Sequence, residues 1–323
     1  MEKRFFGQVV AGIFGIVGLI AAFNYVIDPF GLNGRFDLGL PKAATSRIID
    51  YRLYKTVEFA THPAPVIVLG DSRCDAWRAE WFTEFGEPRV YNLAFGGGTL
   101  REAIDAFWFA DSRIRLERVY LCIPFNLYNA KSVSSLMPQA REIADDPVRY
   151  YLSPLVTKAS WANVYARVMA EPWRTERPLL DKEAFWRFQL EETAPQQLDG
   201  WAPPIALLSD LERIARYCRD RGIDLQIVIP PTHVELQDKV AEYGHERQYR
   251  SYRCALARLV PVVDFDRPSA LTRDHAAFND PYHVTPDSAR RVVGEIVSGE
   301  APDARVYAHD PMGTSCQPEK AAP

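Results

Sequence analysis

The chain has 323 residues, 47% of them hydrophobic and 25% charged, which is ordinary globular composition with room for one large domain or two modest ones. Its 38 Lys and Arg against 42 Asp and Glu give a net charge of −4, with no basic excess of the kind that nucleic-acid backbones demand. Five cysteines are too few for a disulfide-built scaffold, and no pair has CxxC spacing, so no structural metal site is expected.

Residues 5–27, FFGQVVAGIFGIVGLIAAFNYVI, carry no charge and only two strongly polar side chains, Gln8 and Asn24. A run of that length reaches across the roughly 30 Å hydrocarbon core of a bilayer. Lys3 and Arg4 precede it and Asp28 is the first charge after it, so the positive-inside tendency keeps the N-terminus cytoplasmic and exports the rest. A signal peptide cleaved near Ala21-Ala22 is the rival reading; an uncleaved anchor over residues 1–28 is favoured because the apolar run continues through Phe23, Tyr25, Val26 and Ile27.

Residues 29–63 read as a juxtamembrane segment, rich in Gly, Pro and Asp, followed by a helix over 46–60. The soluble core then opens with PVIVLG (65–70), a short β-branched run of the kind buried on both faces of a sheet. RVYNLAF (89–95), RVYLCIPF (118–125), LQIVIPP (225–231) and VPVVDF (260–265) have the same character, and helical patterns fill 99–112, 206–221 and 246–259. Strands alternating with helices predict an α/β domain over 64–298: three α/β/α layers around a five-stranded parallel sheet. An aromatic-rich stretch over about 130–203 is expected as a helical insertion with its own core, or as a lid or sugar-stacking wall. The stretch 299–323 reads as a disordered tail, Cys122 as core, and Cys218 and Cys254 as two helical cysteines able to pair if their helices share a face.

Three chemical pieces fall at the ends of these strands. The first strand runs into Gly70-Asp71-Ser72-Arg73, a tight turn that lifts the Ser72 hydroxyl to the carboxyl edge of the sheet, where open parallel sheets place their ligand sites. After the second strand, Asn92-Leu93-Ala94-Phe95-Gly96-Gly97-Gly98 brings a glycine run whose backbone can approach a substrate and aim N–H groups at a developing oxyanion. Near the end of the core, Asp280-Pro281-Tyr282-His283 offers an imidazole base with a carboxylate three residues away, a spacing expected to meet across one helical turn. Asn126, just past the third strand, is either a further side-chain donor or a structural turn asparagine, and His233 and Arg73 are candidate substrate-binding residues at the same edge. Serine hydrolysis of this type calls for no cofactor.

Taken in order, these residues resemble the SGNH (GDSL-type) esterase superfamily over roughly 64–296, and the anchor, the DPFG segment and the LGDSR turn resemble its membrane-anchored branch related to alginate-type polysaccharide O-acetyltransferases. The resemblance implies a flavodoxin-like fold with Ser72 as nucleophile, His283 as base and Asp280 as its orienter. The oxyanion hole would combine the Ser72 N–H, a glycine of the run at Gly97, and the Asn126 side chain. The third block reads IPFN where the family has G-x-N-D. Implied with the fold are a carbohydrate polymer or acyl ester as substrate, a bacterial inner-membrane location with the catalytic domain in the periplasm, and an acyltransferase partner in the membrane. The competing expectation is a catalytically inactive binding or assembly module for cell-surface polysaccharide on the same fold.

Overall fold

The computed structural model describes residues 2–171, 173 and 181–312. The chain divides into two compact units, one built from residues 1–63 and 136–178, the other from 64–135 and 179–323. The stretch expected as one insertion, 130–203, is therefore split: its middle joins the N-terminal helices and its ends belong to the sheet unit.

In the first unit, a helix spans Glu2–Ile27 and is long and apolar enough to cross a membrane. The polar residues at its end are what fold the chain that follows. Asp28 has a positive φ of 45°, and its carboxylate accepts from the N–H groups of Leu32, Asn33 and Gly34 at 2.8–3.0 Å and from the Tyr150 hydroxyl at 3.0 Å. The segment read as juxtamembrane thus opens with a hydrogen-bonded turn. The helix expected over 46–60 is two, Lys42–Ile49 and Tyr51–Thr61, because Asp50 between them turns extended and caps the second through the Leu53 N–H. Phe30, Leu53, Val57, Tyr150, Val156 and Ala159 form the core of this unit, the last two from the Pro154–Met169 helix.

The second unit is a six-stranded, mostly parallel sheet. Its strands are β1 (Val66–Leu69), β2 (Val90–Asn92), β3 (Arg118–Cys122), β4 (Asp224–Ile229), β5 (Val262–Asp264) and, after a separate two-stranded hairpin of β6 (Phe278–Asp280) and β7 (His283–Val284), β8 (Arg305–Tyr307). The order across the sheet is β2-β1-β3-β4-β5-β8. All five expected strands are present and parallel, with Val66 opposite both Val90 and Arg118 and Cys122 opposite Val228. β1 is buried along its whole length, which is why its sequence lacks the alternation of a half-exposed strand. The sixth strand corrects the reading of the tail: Arg305–Tyr307 adds antiparallel to β5, Val263 opposite Val306. The remainder of that tail, 313–323, lies outside the described residues.

Chain direction across the sheet reverses between β1 and β3, so β1 leads to β2 on one side and β3 to β4 on the other. Such a switch point opens a crevice at the carboxyl ends of the strands. Ser72 follows β1, the glycine run follows β2, and Asn126 follows β3.

Candidate active site

The turn after β1 has no room for a side chain at its first residue. Gly70 has φ +146°, and a Cβ there would stand 2.6 Å from that of Cys122 on β3. Asp71 then caps the single helical turn Ser72–Asp75 by accepting from the Arg73 N–H at 3.1 Å, which leaves Ser72 as its first residue. Cys74 in that turn is disulfide-bonded to Cys122, tying the Ser72 turn to β3. The sequence pattern placed Cys122 in the core, where it lies, but did not disclose its partner. The pairing considered for Cys218 and Cys254 is not formed, since Cys218 is a buried free thiol.

His283 reaches Ser72 from 211 residues downstream, its Nε2 lying 2.7 Å from the serine Oγ. Its Nδ1 is 2.8 and 3.0 Å from the two carboxylate oxygens of Asp280. The two residues meet across the β6–β7 hairpin, where Asp280 pairs with His283, and not across a helical turn as their spacing suggested. Pro281 and Tyr282 make the bend, and the helix that follows begins only at Pro286, capped by Thr285. Asp280 is buried and its Oδ1 also accepts from the Tyr282 N–H at 2.9 Å, so the carboxylate is held from two sides. Serine, imidazole and carboxylate thus form one continuous hydrogen-bonded chain, the arrangement that makes a hydroxyl nucleophilic in serine esterases and proteases.

The glycine run lies against the same turn. Phe95 donates its N–H to the Gly70 carbonyl at 3.0 Å and Gly98 donates to that of Phe95 at 2.8 Å. A Cβ on Gly98 would stand 2.9 Å from the Phe95 oxygen and 3.0 Å from that of Gly70, so only glycine allows this approach. Gly97 has φ +64° and faces open space. Among the described residues, neither the Ser72 nor the Gly97 N–H donates to another protein group. Asn92, which precedes the glycine run, holds the serine turn in place. Its Nδ2 donates to the carbonyls of Cys74 and Trp77 at 2.7 Å and clamps the end of that turn.

Arg73 is not an exposed anion-binding residue. Its guanidinium is buried, pairs with Asp71, and donates through Nη2 to the Asn126 Oδ1. Burial works against that charge, but the Asp71 carboxylate beside it raises the arginine above its ordinary value. With its carbonyl end occupied, Asn126 keeps its amide Nδ2 as the end available to a ligand. The backbone before it is braced by Trp201, which stacks on Phe125 at 4.4 Å and donates to its carbonyl at 3.1 Å. A small pocket of about 20 Å³ lies beside this group, its lining including Arg73, Asn126, Thr232, Gln237, Asp266 and Tyr282.

His233 is buried away from this pocket. It caps the Val234–Glu242 helix, its ring packs edge-on against Trp186 and Phe278, and its N–H donates to the Pro281 carbonyl at 2.9 Å. It steadies the histidine hairpin from behind, and substrate contact, as its position in sequence suggested, is not what its surroundings provide. Burial lowers its pKa from the ordinary histidine value.

No protein-family model and no curated protein matches the chain. Among solved structures it is similar to one from Streptococcus pneumonia named for platelet activating factor, at 9% identity and a TM-score of 0.39, covering 80% of this chain and 92% of that one. A likeness of that distance bears no functional argument.

Proposed function

We propose that this chain is a membrane-anchored serine esterase or O-acyltransferase of the SGNH type that forms an acyl-serine at Ser72. The observation that carries the reading is the continuous Ser72–His283–Asp280 hydrogen-bonded chain at the carboxyl edge of a parallel sheet. The Ser72 Oγ attacks the ester carbonyl while His283 Nε2 takes its proton, and Asp280 holds the imidazole tautomer and stabilises the imidazolium. The tetrahedral oxyanion is met by the N–H groups of Ser72 and Gly97 and the Asn126 Nδ2. The carbon–oxygen bond to the leaving alcohol breaks, and His283 returns the proton to it. A water or a carbohydrate hydroxyl, deprotonated by the same imidazole, then attacks the acyl-serine and restores the hydroxyl.

The acyl group in this reading is acetyl, handed across by an acyltransferase partner in the membrane, and the carbohydrate is an extracytoplasmic polysaccharide whose acetyl esters the site makes or breaks. The N-terminal helix anchors the chain in a bacterial inner membrane with the sheet unit in the periplasm. Two observations support that placement: the apolar length of Lys3–Ile27, and the Cys74–Cys122 disulfide, a bond that persists in oxidising compartments.

The test is intact-mass analysis after exposure to a reactive acetyl ester and, separately, to a serine-directed phosphonate. Both adducts are expected on Ser72, absent from Ser72→Ala and formed far more slowly in His283→Ala, which lacks the base for the acylation step. A folded wild-type chain that takes up neither reagent would assign the fold to a non-catalytic binding module.

A further inference from the structure

The Pro154–Met169 helix buries one face in the core of the first unit, and among the described residues its other face is largely exposed, with Tyr165 meeting the Trp173 ring edge-on at 5.5 Å. Trp161, Tyr165 and Val168, at i, i+4 and i+7, form a stripe along that exposed face; Trp161 is 58% and Val168 74% exposed. Large apolar side chains in a row on an isolated helix face mark a surface that something covers. The position of this stripe identifies what covers it. Trp161 lies 4.9 Å, ring to ring, from Phe23 in the last turns of the N-terminal helix.

The depth of Phe23 follows from helix geometry. Counted from Phe5, just past Lys3 and Arg4, about 20 residues at about 1.5 Å each exhaust a hydrocarbon core of roughly 30 Å. That count ends at Phe23 and Asn24. Asn24 is where the protein first encloses the helix: its side chain is buried and bonds to the Tyr151 carbonyl at 2.7 Å, to Thr157 at 2.8 Å and to Ser160 at 2.8 Å. One turn of helix therefore separates lipid-exposed from protein-enclosed chain, and Trp161 stands at that level. Tryptophan and tyrosine concentrate at such boundaries, where the ring is apolar and its N–H or O–H stays wet. Lys158, exposed one turn before Trp161, adds a cation of the kind that meets lipid phosphates.

We propose that the Trp161–Tyr165–Val168 stripe is immersed in the lipid headgroup–acyl boundary beside the end of the N-terminal helix. The helical unit is thereby seated on the bilayer along an aromatic edge, and the anchor is a two-part device of one spanning helix and one interfacial helix. This inference rests on the N-terminal helix spanning a membrane.

The full chain, reconstituted in vesicles of zwitterionic and anionic phospholipid brominated near the headgroup end of the acyl chains, provides the test through tryptophan quenching. Wild type, Trp161→Phe and Trp81→Phe are compared, and each preparation is washed with alkaline carbonate. All three are expected to stay with the vesicles. Trp161→Phe is expected to lose the larger part of the bromine-dependent quenching, while Trp81→Phe, altered in the sheet unit, keeps it. Val168→Glu, at a position too exposed to disturb folding, is expected to weaken the Trp161 quenching. Retention in the pellet with equal quenching in wild type and Trp161→Phe would overturn the interfacial helix while leaving the anchor intact, and would assign the stripe to a protein occupant. Release by carbonate would overturn both.

Discussion

Removing the Cys74–Cys122 disulfide by the double substitution Cys74→Ala and Cys122→Ala tests how the Ser72 turn is held. The bond spans a sequence separation of 48, and both residues are fully buried. In the chain-entropy account, a loop of that length adds about 4 kcal/mol to stability by restricting the unfolded state. Alanine also removes two buried sulfur atoms, so the full effect is expected to reach at least that value. The turn itself loses its tether. Cys74 is two residues beyond Ser72, and Cys122 supplies the surface against which Gly70 packs. Urea unfolding of the sheet unit, followed by hydrogen exchange of the peptide bearing residues 70–75, reports both. With a urea slope near 3 kcal/mol/M, the midpoint is expected to fall by more than about 1 M. The rate of phosphonate labelling at Ser72 should fall with it, since the hydroxyl no longer stays in reach of His283. A midpoint shift worth less than about 1 kcal/mol, or recovery of both cysteines as free thiols from exported protein, would refute the reasoning.

Arg73→Met leaves Asp71 as an unpaired buried carboxylate and is expected to cost about 3–5 kcal/mol, most of it recovered when Asp71→Asn is added; denaturant midpoints of the double-mutant cycle check the coupling. Asn126→Ala should slow acylation about 10²–10³-fold, read from the rate of acetyl-adduct formation, and should also cost about 1–3 kcal/mol of stability, because the buried Arg73 Nη2 loses its acceptor. Burial holds the His233 pKa below its ordinary value, so the folded state takes up that proton less readily than the unfolded one. The associated stability is present above the ordinary histidine range and is lost as pH falls through the lowered value. Melting temperature should accordingly drop from about pH 7.5 to about pH 5, and drop less in His233→Gln. The Cys218 thiol, pushed up to about 12 by burial, should resist maleimide until the chain is denatured.

What the sequence disclosed follows the range of the forces involved. The β-branched runs located all five parallel strands, because burial on both faces leaves a continuous apolar signature that needs no partner to be recognised. The turn at Gly70, the run at Gly96–Gly98 and the histidine motif were readable for a related reason: each is a local exception, a residue type that backbone conformation or chemistry requires. Pairings across space were not. Cys74 meets Cys122 only because β1 and β3 are neighbours in the sheet, and nothing in the spacing of five cysteines states that adjacency. That Asn126 would be held by its carbonyl, through Arg73 buried in the turn after β1, was not readable from either residue's position in the chain. The Asp280–His283 spacing suits a hairpin and a helical turn equally, and the proline after Asp280 was the available hint. Arg305–Tyr307 was too short, too charged and too exposed to announce itself as a strand; it is one only because β5 offers it an edge.

Ser72 and His283, nucleophile and base in the proposed reaction, are separated by 211 residues of chain. At about 5–20 residues per second, a ribosome finishes Ser72 roughly 10–40 s before His283 exists. During that interval the serine is an ordinary alcohol, with the proton acceptor that activates it still to be made. The hairpin that completes the site is also among the last parts of the sheet unit to emerge. On the function proposed above, a growing or interrupted chain is therefore inert toward esters, and the chemistry switches on only when both ends of the sheet unit have folded against each other.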